Sequence, residues 1–330
     1  MSETPADPAV PDSRLTVRAV LRTDVGKVRS ENQDFATLTT SDEGGAGRLM
    51  LVADGMGGHR GGATASRLAA ETVKERFLAA AASDPTDVLR QALRSANTKI
   101  WAEAQANLDL RGMGTTTSVL VVRGGKGWFA HVGDSRIYLV RGEEIRQLTE
   151  DHSLVASMVR EGLLTSQEAE NHPRRNVLQR SMGVNEDVEV DVQGPLELKE
   201  GDTFIICSDG LHGVIKEEEL KQVAALPVDD AADEYVRRAL GKGAPDNVTV
   251  IVARVEKEGS FDPEATIVEK DDPALLEDTV VERAPAPRES HSFSIVKWTL
   301  IFVLVLGAVG GGIFWAQHQR FARQAQSSSR

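Results

Sequence analysis

Between Leu15 and Val255 the chain alternates two apolar patterns. Short runs rich in β-branched residues (LTVRAV, RLMLVAD, TTSVLVV, GWFAHVGDS, RIYLV, DTFIICSDG and NVTVIVARV) predict strands. Longer stretches with helical spacing predict helices over Ala63–Ala81, Thr86–Asn107, Glu217–Ala225 and Asp229–Leu240. Several strands follow one another across short turns, as in Gly127–Arg141, which points to antiparallel sheet with helices packed on it. The stretch between Asp151 and Arg175 is helical in pattern, interrupted at Gly162 and Pro173.

The pattern changes at both ends. Residues 1–14, MSETPADPAVPDSR, are polar and Pro-rich without an apolar h-region, so they read as a frayed, disordered terminus and not as a signal peptide. Residues 256–289 hold eleven acidic and four basic side chains and few large apolar ones. Such a segment cannot offset the entropy of ordering, and a disordered acidic linker over 256–297 is expected. Within it, Thr266 and Thr279 head a repeated Thr-(Ile/Val)-Val-Glu core, read either as chance or as a pair of phosphorylation sites. Trp298–Trp315 carries no charge over 18 residues, with a Trp at each end. At 1.5 Å per residue it reaches roughly 27 Å, which predicts a single transmembrane helix followed by a short polar tail, 316–330. Gly307 and Gly311 are spaced as a helix-dimer face, or are simply membrane glycines. Without a signal peptide, the residues upstream are expected to stay in the cytoplasm.

Composition narrows the possible chemistry. The 330-residue chain has a formal net charge of −12, which argues against nucleic acid as a partner, because phosphate backbones need a basic surface. A single cysteine, Cys207, excludes an intramolecular disulfide framework and a thiolate zinc cluster. It lies in an apolar run and reads as a small buried residue.

One local device repeats. Apolar strands run into Asp and a turn residue at Asp54 (LMLVAD-G), Asp134 (FAHVGD-S) and Asp209 (FIICSD-G), and Asp246 stands just before VTVIVARV. Any one of these is ordinary turn chemistry. Gathered at one edge, the carboxylates would repel one another unless a cation neutralised them, and hard oxygen donors favour Mg²⁺ or Mn²⁺. The Gly-rich stretches DGMGGHRGG and GMGTT would let backbone approach a phosphate, and Arg29 could fork onto one or simply be solvated.

Taken in order, GKVRSENQD, ADGMGG, GMGTT, GDSR, LTEDHS, LQRSMG, CSDGL and PDN resemble the PP2C-type (PPM) metal-dependent protein serine/threonine phosphatases, in their bacterial branch. The resemblance covers about Leu15–Val255. It implies an α+β fold, a four-layer αββα sandwich of two antiparallel sheets flanked by helices. By position it makes Asp54 a bridge between two Mn²⁺ or Mg²⁺ ions and gives Gly55 a carbonyl ligand. Asp209 and Asp246 complete the first metal's shell, and Asp134 with Asp209 matches a third, weaker position. Asp34 supports waters of the second metal, and Arg29 binds phosphate. The implied reaction is in-line attack of a metal-bridging hydroxide on phosphoserine or phosphothreonine of proteins, opposing a eukaryotic-like Ser/Thr kinase. The segment after Asp151 takes the place of the family's flap, with Arg174 and Arg175 either meeting substrate or solvated.

There are departures from the pattern. Gln33 stands where many members have Glu, and Met56 where some have a proposed acid His. Leaving-group protonation then falls to a metal-bound water or to His59, while His152 reads as structural. Two rival functions remain at this stage, a weakly active membrane-anchored binding module and a different two-metal hydrolase such as a nuclease.

Overall fold

The computed structural model describes residues 15–39, 45–58, 60–81 and 83–257. The predicted terminus 1–14, His59, the linker with Thr266 and Thr279, and the apolar segment 298–315 with its glycine pair and tail lie outside the described residues. Among the described residues no helix is long and apolar enough to cross a membrane.

The first half runs β1 (Leu15–Asp24), β2 (Asp34–Leu38), β3 (Arg48–Met56), α1 (Gly61–Ala79), α2 (Pro85–Ala106), β4 (Gly114–Thr115), β5 (Thr117–Arg123) and β6 (Lys126–Val132). It continues with β7 (Arg136–Arg141), β8 (Glu144–Gln147), α3 (Leu154–Arg160), α4 (Ser166–Glu170), β9 (Asp191–Glu197) and β10 (Thr203–Cys207). The last elements are α5 (Asp209–His212), α6 (Glu217–Ala224), α7 (Val228–Gly241) and β11 (Val248–Lys257). The four predicted helices appear with ends shifted by at most two residues. The fifth helical stretch splits at Gly162, whose φ of +73° breaks the helix.

Strand β3 shows why the chain folds in layers. Leu49, Leu51 and Ala53 pack with Ala65, Ala69, Leu89 and Leu93 of α1 and α2, whereas Met50 and Val52 pack with Phe204, Ile206 and Ile251 of the other sheet. Successive strand residues point to opposite faces, so a strand that is apolar at every position is covered on both. The same holds for β10 and β11: Ile205, Cys207, Val250 and Val252 face Leu220, Val223 and Tyr235 of α6 and α7. Three apolar layers therefore separate helices, sheet, sheet and helices, the expected αββα order.

One sheet has the order β1-β11-β10-β7-β8, and the other β2-β3-β5-β6-β9 with β4 paired to the end of β3. These pairings are antiparallel. The last strand, β11, sits between β1 and β10, in register from Leu15↔Lys257 to Asp24↔Val248.

Helix α2 begins where Asp84 caps Thr86 N at 2.8 Å and Pro85 fills the first turn. The small buried residues of α1 (Ala65, Ser66, Ala69, Ala70) let it lie close on β3. Four strands were not anticipated. β2, β4 and β8 are short, and β9 carries a Gly-Pro step, which a sheet tolerates only at an edge, where β9 lies.

Candidate active site

Five carboxylates meet at one end of the sandwich. Asp34 opens β2 and is the register partner of Asp54 on β3. Asp134 lies in the turn between β6 and β7, Asp209 is the first residue of α5 just after β10, and Asp246 stands in the turn before β11. The centre thus draws on both sheets.

Their proximity is seen in their electrostatics. Burial, then the charges of Asp34, Asp209, Asp134 and Asp246, push the Asp54 carboxyl far above the usual carboxylate range. Burial is also the main cause that raises Asp34 to about 7, against hydrogen bonds from Ser208 and Thr249 that lower it. Asp134 rises to about 8 through burial and then the charges of Asp209 and Asp151, with Arg136 pulling the other way. Asp209 rises to about 6, through burial and Asp246, despite Arg29, a hydrogen bond with Asp54, and Arg175. Arg29 reaches over this group from the β1–β2 loop: its Nη2 donates to Asp246 Oδ2 at 2.7 Å, and the guanidinium is raised by that bond and by the charges of Asp246, Asp54 and Asp209. Half of its side chain, 53%, stays exposed.

The donor chemistry fits hard divalent cations: crowded carboxylate oxygens, no sulfur, and mutual repulsion that a cation would relieve. Among the described residues no three His, Cys, Asp or Glu side chains close tightly around one point. Such a donor group suits ions such as Mg²⁺, which keep several waters and take few protein ligands. Asp54, Asp209, Asp246, Asp134 and the Gly55 carbonyl are the groups that would hold such ions, with Asp34 behind them.

Asp54-Gly55 was expected to be a strand running into a turn. Instead β3 continues to Met56, because Gly55 and Met56 pair with Thr115 and Gly114 of β4. Gly55 is needed for close backbone approach within the protein: an added Cβ would lie 2.5 Å from the Gln33 oxygen and overlap the Gly62 carbonyl. Gln33, in place of a family carboxylate, uses its main chain here, accepting from Gly55 N at 3.1 Å and from Ser66 Oγ at 2.7 Å. Gly114 in GMGTT likewise serves packing, since a Cβ there would meet the Met182 carbonyl at 2.9 Å, whereas Gly112 has open space around it and a φ of +78°.

Residues that the motif reading passed over hold the wall in place. Asn247 accepts from Gln33 N at 2.8 Å and donates to the Val25 and Glu31 carbonyls at 2.9 Å each, fastening the Arg29 loop to the start of β11. Its side-chain amide is the one group type that can serve as acceptor and double donor at once. Ser208 donates to Asp34 Oδ2 at 2.7 Å. Thr116 bonds Asp54 N at 3.0 Å and meets Ser135 at 2.6 Å, linking GMGTT to GDSR. His212 Nε2 contacts the Asp134 carbonyl at 3.0 Å, and burial lowers this imidazole to about 3, so it is neutral and donates. For Asn247, Ser208, Thr116 and Ser135 the only sequence signal was their place inside the motifs, and His212, just after CSDGL, had none.

His152 is structural, as expected. Its Nδ1 accepts from Gly133 N at 3.0 Å and its own N–H donates to Gly133 O at 2.7 Å, bracing the turn that bears Asp134. The flap segment is rooted beside it, through the Ser153↔Leu178 bridge and Leu154 N to Val177 O at 2.8 Å. Arg175 of this segment acts electrostatically on Asp209, so it belongs to the site's surroundings. Cys207 is fully buried, its thiol pushed up to about 12 by burial, and is no nucleophile.

The raised carboxylates have a measurable consequence. Asp34, Asp134 and Asp209 titrate near 7, 8 and 6 in the folded protein, against about 4 in an unfolded chain. Between these values the folded state holds more protons than the unfolded one, so stability falls as pH rises through that window. A divalent cation must displace those protons, and its benefit grows as they leave. In calorimetry with chelator, Tm should fall from pH 5 to pH 8. Added Mn²⁺ should raise Tm by several degrees at pH 8 and much less at pH 5. Equal gains at both pH values would contradict the arrangement.

Comparison with known proteins fits this geometry. Residues 27–253 match the family model described as protein phosphatase 2C. The serine/threonine phosphatase stp of Listeria monocytogenes is 36% identical over 242 residues, covering 72% of this chain and 95% of that protein. The serine/threonine protein phosphatase PstP of Mycobacterium tuberculosis is 34% identical over 317 residues, covering 89% of this chain and 59% of that protein. Among solved structures, the PstP catalytic domain in complex with two manganese ions superposes with a TM-score of 0.63 at 34% identity, covering 74% of this chain and all of that one. The carboxylate wall, the layered sheets and these matches together place the chain in the protein phosphatase 2C family.

Proposed function

We propose that this chain is a metal-dependent protein serine/threonine phosphatase, anchored by residues 298–315 in the cell membrane with its catalytic domain in the cytoplasm, acting on phosphoproteins and opposing a Ser/Thr kinase. The observation that carries the enzymatic reading is the wall of Asp54, Asp209, Asp246, Asp134 and Asp34 with Arg29 reaching across it. Bacterial relatives named as serine/threonine phosphatases support it. The uncharged 18-residue segment supports the anchor.

When bound, Mn²⁺ or Mg²⁺ ions supply Lewis acidity and an activated water. The chain's own groups do the rest. Asp54 and Asp209 offer the buried oxygens that fix such ions, and Asp246 adds a third while holding Arg29 at 2.7 Å. Arg29, planar and permanently charged, can fork onto two phosphoryl oxygens and offset the charge that grows there as the ester bond breaks. Asn247 keeps Arg29's loop at a fixed distance from Asp246 by its three hydrogen bonds. Cys207 takes no part, which fits a reaction without a covalent enzyme intermediate.

Expression of the full chain, followed by fractionation, tests both halves of the proposal. Mn²⁺-dependent release of phosphate from a phosphothreonine peptide is expected in the membrane fraction, and deletion of residues 290–330 should move it to the supernatant. Hydrolysis that ignores chelator would overturn the enzymatic reading. Activity that stays soluble with the full chain would overturn the anchor.

A further inference from the structure

Exposed apolar side chains on this domain are not scattered. Seven large ones are exposed among the described residues: Val25, Val28, Leu108, Leu163, Val177, Val184 and Leu226. Six of them lie on connections at the end of the sandwich that carries the carboxylates. Val25 and Val28 are on the β1–β2 loop, Leu108 on the approach to β4, Leu163 and Val177 on the flap segment, and Val184 on the approach to β9. Leu226 stands at the opposite end, where its carbonyl accepts from Arg254 of β11 at 2.8 Å.

Three of the six, on different segments, are tied to the reacting centre. Val28, 72% exposed, adjoins Arg29, whose guanidinium is on Asp246. Val184, 41% exposed, packs at Gly114 beside the Met56 side chain, two residues beyond Asp54. Val177 is two residues from Arg175, whose charge acts on Asp209. Single exposed apolar residues need no explanation, but a rim of them from four separate segments around one polar centre does. Core packing does not account for them, because they are outside all three apolar layers.

We propose that this rim is the docking surface for the substrate polypeptide, and that the enzyme prefers phosphoserine or phosphothreonine flanked by aliphatic side chains. The proposal rests on the phosphatase reading above and names its substrate class. The occupant follows from position: whatever presents a phosphate to Arg29 and the carboxylate wall lays its flanking residues on Val28, Val177 and Val184. At the rim itself a flank meets the side chains of Val28, Val177 and Val184, which offer neither acidic nor basic flanks a partner.

The test uses the full chain with Mn²⁺ and three sets of phosphothreonine peptides, flanked by Val and Leu, by Ser and Gly, or by Lys. The aliphatic set should show kcat/KM about tenfold above the Ser/Gly set, the size of effect that burying one or two aliphatic side chains gives. In the double variant V28S/V184S that ratio should fall to about one, and in L226S it should stay as in the parent. Equal rates for all sets, faster turnover of the Lys set, or a ratio unchanged in V28S/V184S would overturn the proposal. So would a concentration-dependent dimer that V28S/V184S dissolves without any peptide preference, since the rim would then belong to a second copy. If no peptide is hydrolysed at all, the phosphatase reading fails instead, and the two failures are told apart.

Discussion

Asp209→Asn should leave a folded protein that hydrolyses a phosphothreonine peptide about a thousandfold more slowly than the parent, a loss of about 4 kcal/mol of transition-state stabilisation. The substitution keeps the size of the side chain but removes the charge that Asp54, Asp246 and Arg29 all sense. The backbone of α5 is untouched, because Gly213 N bonds the Asp209 carbonyl and not its side chain, at 2.7 Å. A second readout separates this from simple damage. One fewer charge in a crowded, buried group relieves repulsion, so Tm in chelator should hold steady or rise, while the gain in Tm from Mn²⁺ should shrink. Near-parental, Mn²⁺-dependent turnover by this variant would falsify the assignment of the site.

Gly210→Ala should be nearly as costly for a different reason. An added Cβ would overlap the Asn247 carbonyl oxygen and stand 2.9 Å from its carbon, with Asp246 next in line. Both neighbours are backbone, so α5 and the turn before β11 must part. That movement carries Asp246 away from Asp209, and through Asn247 it shifts the loop bearing Arg29. Overpacking of this kind costs about 1–3 kcal/mol, which in a domain of this size lowers Tm by several degrees. Displacing two groups of the site should also reduce kcat/KM by at least about a hundredfold, since small misplacements of catalytic groups cost that much. Gly241→Ala, where nothing lies within 4 Å of the added atom, is the control and should change neither quantity. A Gly210→Ala enzyme with parental kinetics would show that the close contact is not maintained in solution.

Particular residues show which parts of this could be read from sequence. Asp54, Asp134, Asp209 and Asp246 were visible because three end an apolar run and the fourth stands just before one, and the same device repeated four times is hard to assign to turns alone. The pattern itself predicted sheet with helices packed on it, and the four-layer order came only through the family resemblance; the structure supplies its physical cause, since Leu49 to Ala53 and Phe204 to Cys207 are apolar at every position and are covered on both faces. Asn247 was not legible. Beside an Asp in a turn it reads as turn chemistry, and only tertiary structure shows that its partners are more than two hundred positions away. The glycines of DGMGGHRGG and GMGTT pointed to phosphate, yet Gly55 and Gly114 are required by the protein's own backbone and side chains. β8 and β9 escaped notice because edge strands bury little and their pattern is mixed.

The placement of β11 has a consequence for synthesis. Among the described residues it is the last strand made, yet it fills the gap between β1 and β10 and brings Asp246 and Asn247 with it. A chain still on the ribosome without these residues lacks one wall of the carboxylate group and the anchor of Arg29's loop. Hydrolytic competence therefore arises only once translation has passed the final strand, so a nascent or prematurely terminated polypeptide is silent towards phosphoproteins, and a stop codon anywhere before residue 246 yields a null allele even where much of the sandwich can still collapse.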